Sequence, residues 1–174
     1  MNDNLKFVFI TLCFAVSVFS RSRLLKSAMF LTVASDFMIL IIGNYIIGVA
    51  VFCFAHVFHF IRNKGGGKKL FIYAVFAIAA VIVYLFGKDF IVSVSVLYAC
   101  CLLSSVVSSF LSEFGSKRKL IIEIAFVLFL FCDVCVMFYN LPNIGRISVF
   151  AGKMIWVFYA PSQLMLAASG LSEK

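Results

Sequence analysis

Apolar residues fill seven long stretches of this chain, whereas charged residues concentrate in the short segments between them. A helix needs about 20 mostly apolar residues to cross the hydrocarbon core of a bilayer, with a range of about 17–25. The stretches cover residues 5–20, 24–42, 45–61, 70–86, 90–111, 120–139 and 147–169. This pattern predicts an all-α fold, a polytopic bundle of about seven transmembrane helices, built as a single transmembrane domain over residues 1–174.

The composition sets the chain apart from soluble proteins. It is 64% hydrophobic and 13% charged, with a mean hydropathy of +1.15. Soluble domains contain about 45–50% apolar and about 25% charged residues, so lipid is the solvent that this surface fits. The formal net charge of +8 does not indicate a nucleic-acid partner, because the basic residues lie in the short loops. We therefore expect a multi-pass protein of the cell membrane, surrounded by membrane lipids.

The basic residues also predict an orientation. Most of the 15 fall in alternate loops or at the tail: Arg21, Arg23, Lys26, Arg62, Lys64, Lys68, Lys69, Lys117, Arg118, Lys119 and Lys174. Loops rich in lysine and arginine stay on the cytoplasmic side of a membrane. The N-terminus is therefore predicted to lie outside and the C-terminus in the cytoplasm.

All six cysteines lie within apolar stretches, where a disulfide framework of a small secreted domain is not expected. Cys132 and Cys135 form a Cys-x-x-Cys pair, but a structural zinc site needs a second pair. We therefore expect reduced thiols and neither a metal nor another cofactor.

Two carboxyl groups interrupt the apolar pattern. Asp36 and Asp133 each lie seven residues before the predicted outer end of a helix, roughly 10 Å below it at a rise of about 1.5 Å per residue. A charged residue at mid-bilayer costs roughly 2.5 kcal/mol or more, so such residues tend to be functional. If the two helices are neighbours, the carboxyls share one cavity. The alternative is that each makes only an interhelical hydrogen bond.

Other polar residues recur at helical spacing near these aspartates. One face of the third stretch carries Tyr45, Gly48, Phe52, His56, His59 and Asn63. Asn140 shares a face with Asp133, and Tyr159 and Gln163 share a face of the last stretch. Hydrogen bonding or packing between helices is the alternative role for these residues. The small residues of the fifth stretch indicate close helix packing.

Four short motifs follow one another at consistent spacing. Ser35-Asp36 precedes Gly48-x-x-x-Phe52-x-x-x-His56, and Leu128-Phe-Leu-Phe-Cys-Asp133 precedes Tyr159-x-x-x-Gln163-Leu. From about residue 24 onward, this series resembles the YhhN-like lysoplasmalogenase family of integral membrane alkenyl-ether hydrolases. That family has glycine and serine where Ser35 and Cys132 stand here. It also has eight helices, one more than this chain predicts.

The resemblance implies hydrolysis of the vinyl ether of a lysoplasmalogen-type lysophospholipid, which gives a fatty aldehyde and a glycerophospho-head group. Asp36 and Asp133 correspond to the family's two motif aspartates and are the expected catalytic residues. Substrate binding is expected from His56, Tyr159, Gln163, Tyr45 and Asn140. Vinyl-ether cleavage puts a proton on carbon and lets water capture the resulting oxocarbenium ion. Two nearby carboxyls in different protonation states suit this reaction, one as acid and one as base.

Other functions remain open. Stretches one to three and five to seven run in the same sense around the fourth, and each set carries a small residue followed by aspartate. Parallel repeats of this kind occur in transporters. The alternative to a hydrolase is therefore a small seven-helix transporter, or a membrane protein that binds lipid without turning it over.

Overall fold

The computed structural model describes residues 2–64, 71–141 and 145–171, which form seven α-helices and no strand. The helices are α1 (Asp3–Val18), α2 (Arg23–Asp36), α3 (Tyr45–Lys64), α4 (Phe71–Gly87), α5 (Phe90–Phe110), α6 (Ser116–Asn140) and α7 (Arg146–Ala168). The predicted helical bundle is confirmed, and the predicted stretches agree with these bounds to within a few residues. Of the basic residues used for orientation, Lys68, Lys69 and Lys174 lie outside the described residues.

Four of the described helical stretches are long and apolar enough to cross a membrane: Arg23–Ile42, Tyr45–Asn63, Phe90–Phe110 and Ser116–Asn140. Helix α4 is strongly apolar but has only 17 residues. The fold is therefore that of a membrane protein by length and composition. That α1, α4 and α7 also span the bilayer stays a prediction.

Successive helices run in opposite directions. Between α6 and α7, Phe129 packs on Tyr159 and Phe131 packs on Phe158. The residue numbers in contact rise along α6 as they fall along α7, so these two helices are antiparallel. Helices α3 and α5 run parallel, because His56 contacts Ser105 and the later Asn63 contacts the later Ser108.

Helices α2 and α7 are antiparallel. Tyr159 is hydrogen-bonded to Asp36, and Gly170 lies against Leu25. From the first contact to the second, the residue number rises by eleven from Tyr159 to Gly170 and falls by eleven from Asp36 to Leu25. Because α6 is also antiparallel to α7, α2 and α6 run in the same sense, as the sequence predicts.

Six of the helices close into a ring in the order α1, α2, α3, α5, α6, α7 and back to α1. Helix α4 packs mainly on α5, outside this ring, and Ala80 is its one buried residue. The interior of the ring is thus lined by α2, α3, α5, α6 and α7, the helices that carry the candidate residues.

Polar residues lie inside the bundle beside an apolar core, while many large apolar side chains are exposed on its outer surface, unlike in a soluble protein. His56, Ser105 and Gln163 are fully buried, whereas Phe19 and Phe86 are more than 80% exposed. Such an outer surface is unfavourable in water and favourable in hydrocarbon. The distribution supports placement of the bundle in a membrane.

The backbone changes geometry directly after Asp36. Residues Phe37–Ile42 are π-helical and end at Gly43, whose φ of +76° lies in the left-handed region that glycine tolerates. Single π-helical turns inside α-helices are frequent at functional sites. This π-helical segment continues α2 beyond Asp36, so the carboxyl lies at the junction of two helical geometries.

Gly48 lets α3 approach α2 closely at the same level. A Cβ atom at this position would overlap the side chain of Ile39 and would lie 3.1 Å from the carbonyl oxygen of Ser35. The Ser35 hydroxyl donates a 2.7 Å hydrogen bond to the carbonyl oxygen of Gly48. The two motif residues Ser35 and Gly48 therefore form one helix–helix contact, next to Asp36.

We expect Gly48→Ala to destabilise the bundle, because the added methyl group displaces Ile39 and presses on a backbone carbonyl. Overpacking of this kind costs about 1–3 kcal/mol. Thermal unfolding in detergent measures the effect. Gly87→Ala is the matched control, since nothing lies within 4 Å of its Cβ position. Equal melting temperatures for the two variants would contradict the close contact.

The orientation prediction is tested with C-terminal fusions expressed in bacterial cells. A fluorescent protein at the C-terminus should fluoresce, and alkaline phosphatase at the same position should be inactive, because the basic loops hold that end in the cytoplasm. Active phosphatase together with a dark fluorescent fusion would reverse the predicted orientation.

Candidate functional site

Asp36 is held at the last position of α2, inside the ring. Its side chain is buried, and the Tyr159 hydroxyl donates a 2.6 Å hydrogen bond to Oδ2. The Tyr159 ring packs edge-on against Trp156 and against Phe129, with ring centroids 5.2 Å and 5.5 Å apart. Aromatic packing on two sides therefore fixes the hydroxyl that orients this carboxyl.

Asp133 is held in an equivalent way by another tyrosine. The Tyr98 hydroxyl of α5 donates a 2.6 Å hydrogen bond to Oδ2 of Asp133, which is partly buried. The Tyr98 ring packs on Phe52 at 6.0 Å and on His56 at 5.6 Å. Each aspartate thus accepts one short hydrogen bond from a tyrosine on a different helix.

The two aspartate–tyrosine pairs meet through Phe52, His56 and Phe129, which we call the aromatic cluster. Phe129 packs on Phe52 at 5.7 Å and on His56 at 5.3 Å. Phe52 and His56 contact Tyr98, and Phe129 contacts Tyr159. The two pairs are therefore joined by a continuous series of ring contacts.

The aspartates themselves are linked indirectly. The backbones of α2 and α6 do not pack extensively on each other, and within the described residues no hydrogen bond joins the two carboxyls. The sequence analysis places the carboxyls in one cavity on the condition that α2 and α6 are neighbours. The described contacts connect the two carboxyls through the tyrosines and the aromatic cluster.

His56 lies at the centre of this arrangement and is fully buried. Its Nδ1 atom lies 3.2 Å from Ser105 Oγ, which is also within hydrogen-bond distance of the carbonyl oxygens of His56 and Cys101. Because carbonyl oxygens only accept, the serine hydroxyl donates to one of them and accepts from Nδ1–H. In the neutral ring this leaves Nε2 as an acceptor.

Several deeply buried polar atoms have no hydrogen-bond partner among the described residues. They are His56 Nε2, His59 Nδ1, Asn63 Oδ1 and both amide atoms of Gln163. Leaving such an atom unpaired costs about 1–3 kcal/mol. These atoms therefore form a polar part of the interior.

Tyr45 and Asn140 lie away from this interior. Tyr45 is exposed at the start of α3, and Asn140 is exposed at the end of α6, where its amide donates to the carbonyl oxygen of Val136. No described contact joins either residue to a carboxyl of the site. Their predicted role in substrate binding therefore concerns the end of the bundle at which α3 begins and α6 ends.

The sequence analysis missed Tyr98. Helix α5 is rich in small residues, and its buried serines pack closely on α3. This pattern indicates helix packing and gives no reason to single out the one tyrosine of the helix. The signal was present, because a tyrosine buried in a membrane helix needs a partner for its hydroxyl. Asp133, which had no basic residue near it on its own helix, needed a donor in turn.

The six cysteines are free thiols. Across the residues that the structure describes, no group of three or more potential ligands lies together in a way that suits a metal ion.

Comparison with known proteins found no matching family model, and neither a curated protein nor a solved structure similar to this chain.

We expect Tyr98→Phe to destabilise the bundle, because it removes the donor to the carboxyl of Asp133. An unpaired partly buried polar group costs about 1–3 kcal/mol. Thermal unfolding in detergent measures the loss. Tyr84→Phe is the control, because Tyr84 is 43% exposed on the peripheral α4. An unchanged melting temperature for Tyr98→Phe would show that this hydrogen bond contributes little.

Proposed function

We propose that this protein is an integral membrane hydrolase that cleaves the vinyl-ether bond of lysoplasmalogen-type lysophospholipids. The observation that carries the proposal is the pair of interior carboxyls, Asp36 and Asp133, each held by a tyrosine on opposite sides of one aromatic cluster. The resemblance to the YhhN-like motifs supports the same reaction, since its matched residues include Asp36, Asp133, His56 and Tyr159.

The reaction needs an acid, a base and one water molecule. A carboxylic acid of one aspartate donates its proton to the vinyl carbon farther from oxygen, which leaves an oxocarbenium ion. The other aspartate, as carboxylate, removes a proton from water as the water oxygen bonds to the cationic carbon. The resulting hemiacetal loses its hydroxyl proton and breaks its ether bond, and the leaving oxygen takes a proton. The products are a fatty aldehyde and a glycerophospho-head group.

The tyrosines suit a positioning role in this scheme. Each occupies Oδ2 of its carboxyl and so leaves Oδ1 as the oxygen directed to substrate or water. A proton carried on a fixed carboxyl is transferred with less reorganisation than one on a mobile side chain.

The surroundings suit a lipid with one chain. Phe131, Val134 and Met137 are exposed on α6 around Asp133, so an apolar chain in the membrane meets the site from this side. Asn140 lies seven residues beyond Asp133, about 10 Å towards the end of the helix. Its exposed amide, with Tyr45 on α3, is placed to receive a polar head group at the membrane boundary.

A second function is supported by the likeness of the two pairs. Asp36 follows Ser35 on α2 and Asp133 follows Cys132 on α6, and each carboxyl accepts from one tyrosine. Equivalent sites in two halves are a feature of transporters built from parallel repeats. A transporter, or a protein that binds lysolipid without turnover, is the alternative.

Product analysis tests the proposal directly. Purified protein incubated with a lysoplasmalogen should release a fatty aldehyde, detected by mass spectrometry. Asp36→Asn and Asp133→Asn should each lower the rate at least about 100-fold, because general acid–base groups contribute about 10²–10⁴ in rate. Both substitutions preserve the shape of the side chain and an oxygen for the tyrosine.

Asp89→Asn is the matched control. Asp89 caps the N-terminus of α5 outside the site, and asparagine caps helices equally well, so this variant should keep full activity. Aldehyde release that persists in the Asp36→Asn, Asp133→Asn double variant would refute the hydrolase mechanism. Counterflow of lysolipid in proteoliposomes without product would favour the transporter.

A further inference from the structure

The interior of the ring contains a line of polar groups below the aromatic cluster. It runs along α3 through His56, His59 and Asn63, which lie on one face at steps of three and four residues. Gln163 of α7 is fully buried, as are both histidines to within 1%. We call His56, His59, Gln163 and Asn63 the polar column.

The register of the helices places Gln163 at the level of the histidines. Tyr159 packs on Phe129, and Gln163 follows Tyr159 by one turn on the same face. On the antiparallel α6, Phe126 lies one turn from Phe129 in the same direction. Phe126 packs on His56 at 6.5 Å and on His59 at 5.3 Å, so the amide and the two rings surround the same part of the interior.

The polar atoms of this column do not satisfy one another. Across the described part of the chain, His56 Nε2, His59 Nδ1 and the amide oxygen and nitrogen of Gln163 make no hydrogen bond. The centroids of the two histidine rings are 6.4 Å apart. The two rings are therefore neighbours on the inner face of α3. A partner for these atoms must both donate and accept hydrogen bonds. The amide of Gln163 presents a donor and an acceptor, and Nε2 of His56 accepts.

We propose that the polar column is a binding site for internal water and that it supplies water to the aspartate pair. Water is the ligand that matches donors and acceptors this deeply buried, since buried waters make about three hydrogen bonds to otherwise unpaired groups. The column reaches the tyrosine of each pair: His56 contacts the Tyr98 ring, and Gln163 lies one turn from Tyr159. Its role in supplying a reactant rests on the proposed hydrolysis, whereas the presence of water does not.

Hydroxyl-radical labelling in nanodiscs tests the site without any assay of activity. Short X-ray pulses convert bound water to radicals, and mass spectrometry then locates the oxidised side chains. Phe126, His56 and His59 have almost no accessible surface and should nevertheless be labelled. Cys13 is the internal reference, because it is buried in the apolar core and is chemically more reactive than phenylalanine. Labelling of Phe126 above that of Cys13 is expected.

Two variants at one position make the test specific. Gln163→Leu should lower labelling of Phe126 and His59 at least threefold, because an apolar side chain of similar size removes two partners of the water. Gln163→Met serves if the leucine variant does not fold. Ser162→Ala is the matched control: Ser162 is equally buried, but its hydroxyl donates to the carbonyl oxygen of Tyr159 on its own helix. Its labelling pattern should be that of the unsubstituted protein.

Labelling of Phe126 no stronger than that of Cys13, or unchanged in both Gln163 variants, overturns the water site. The outcome is independent of the proposed function: a labelled column in a protein that releases no aldehyde refutes the hydrolase and keeps the water site. An unlabelled column in an active enzyme refutes the water site and keeps the hydrolase.

Discussion

Every polar side chain inside the ring of helices has to find its partner within the bundle, because the hydrocarbon outside offers none. The hydrogen bonds from Tyr159 to Asp36 and from Tyr98 to Asp133 meet this requirement between different helices. They fix α7 against α2 and α5 against α6. These two hydrogen bonds reduce the cost of burying the carboxyls, and they also fix the positions of the carboxyls in the candidate site.

The interior separates into groups that the protein satisfies and groups that it does not. The serines of α5 donate to carbonyl oxygens of their own helix and take part in contacts to His56, Asn63 and Tyr73. These bonds hold the helices together and need no ligand. The amide of Gln163 and one nitrogen on each histidine have no such partner among the described residues. The side chains that hold the helices together are thus different from those whose polar atoms are available to bind water.

The sequence predicted the helices well, because they depend on local pattern. Hydropathy alone located all seven helices, and a period of 3.6 residues placed His56 on the inner face of α3. The partners of the carboxyls were not predictable in this way. That Tyr98 reaches Asp133, and that α2 and α6 are joined through other residues, depends on which helices become neighbours. The π-helical turn after Asp36 also left no signal, since Phe37–Ile42 reads as an ordinary apolar run.

The position of α4 outside the ring has a consequence for the topology of the chain. Helices α3 and α5 lie side by side and point the same way, so the chain has to return across the full thickness of the bundle between them. Helix α4 makes this return and contributes little else, as its almost wholly exposed surface indicates. Its sequence is therefore constrained by length and apolarity more than by shape, and this helix is the part of the molecule most open to replacement over evolutionary time.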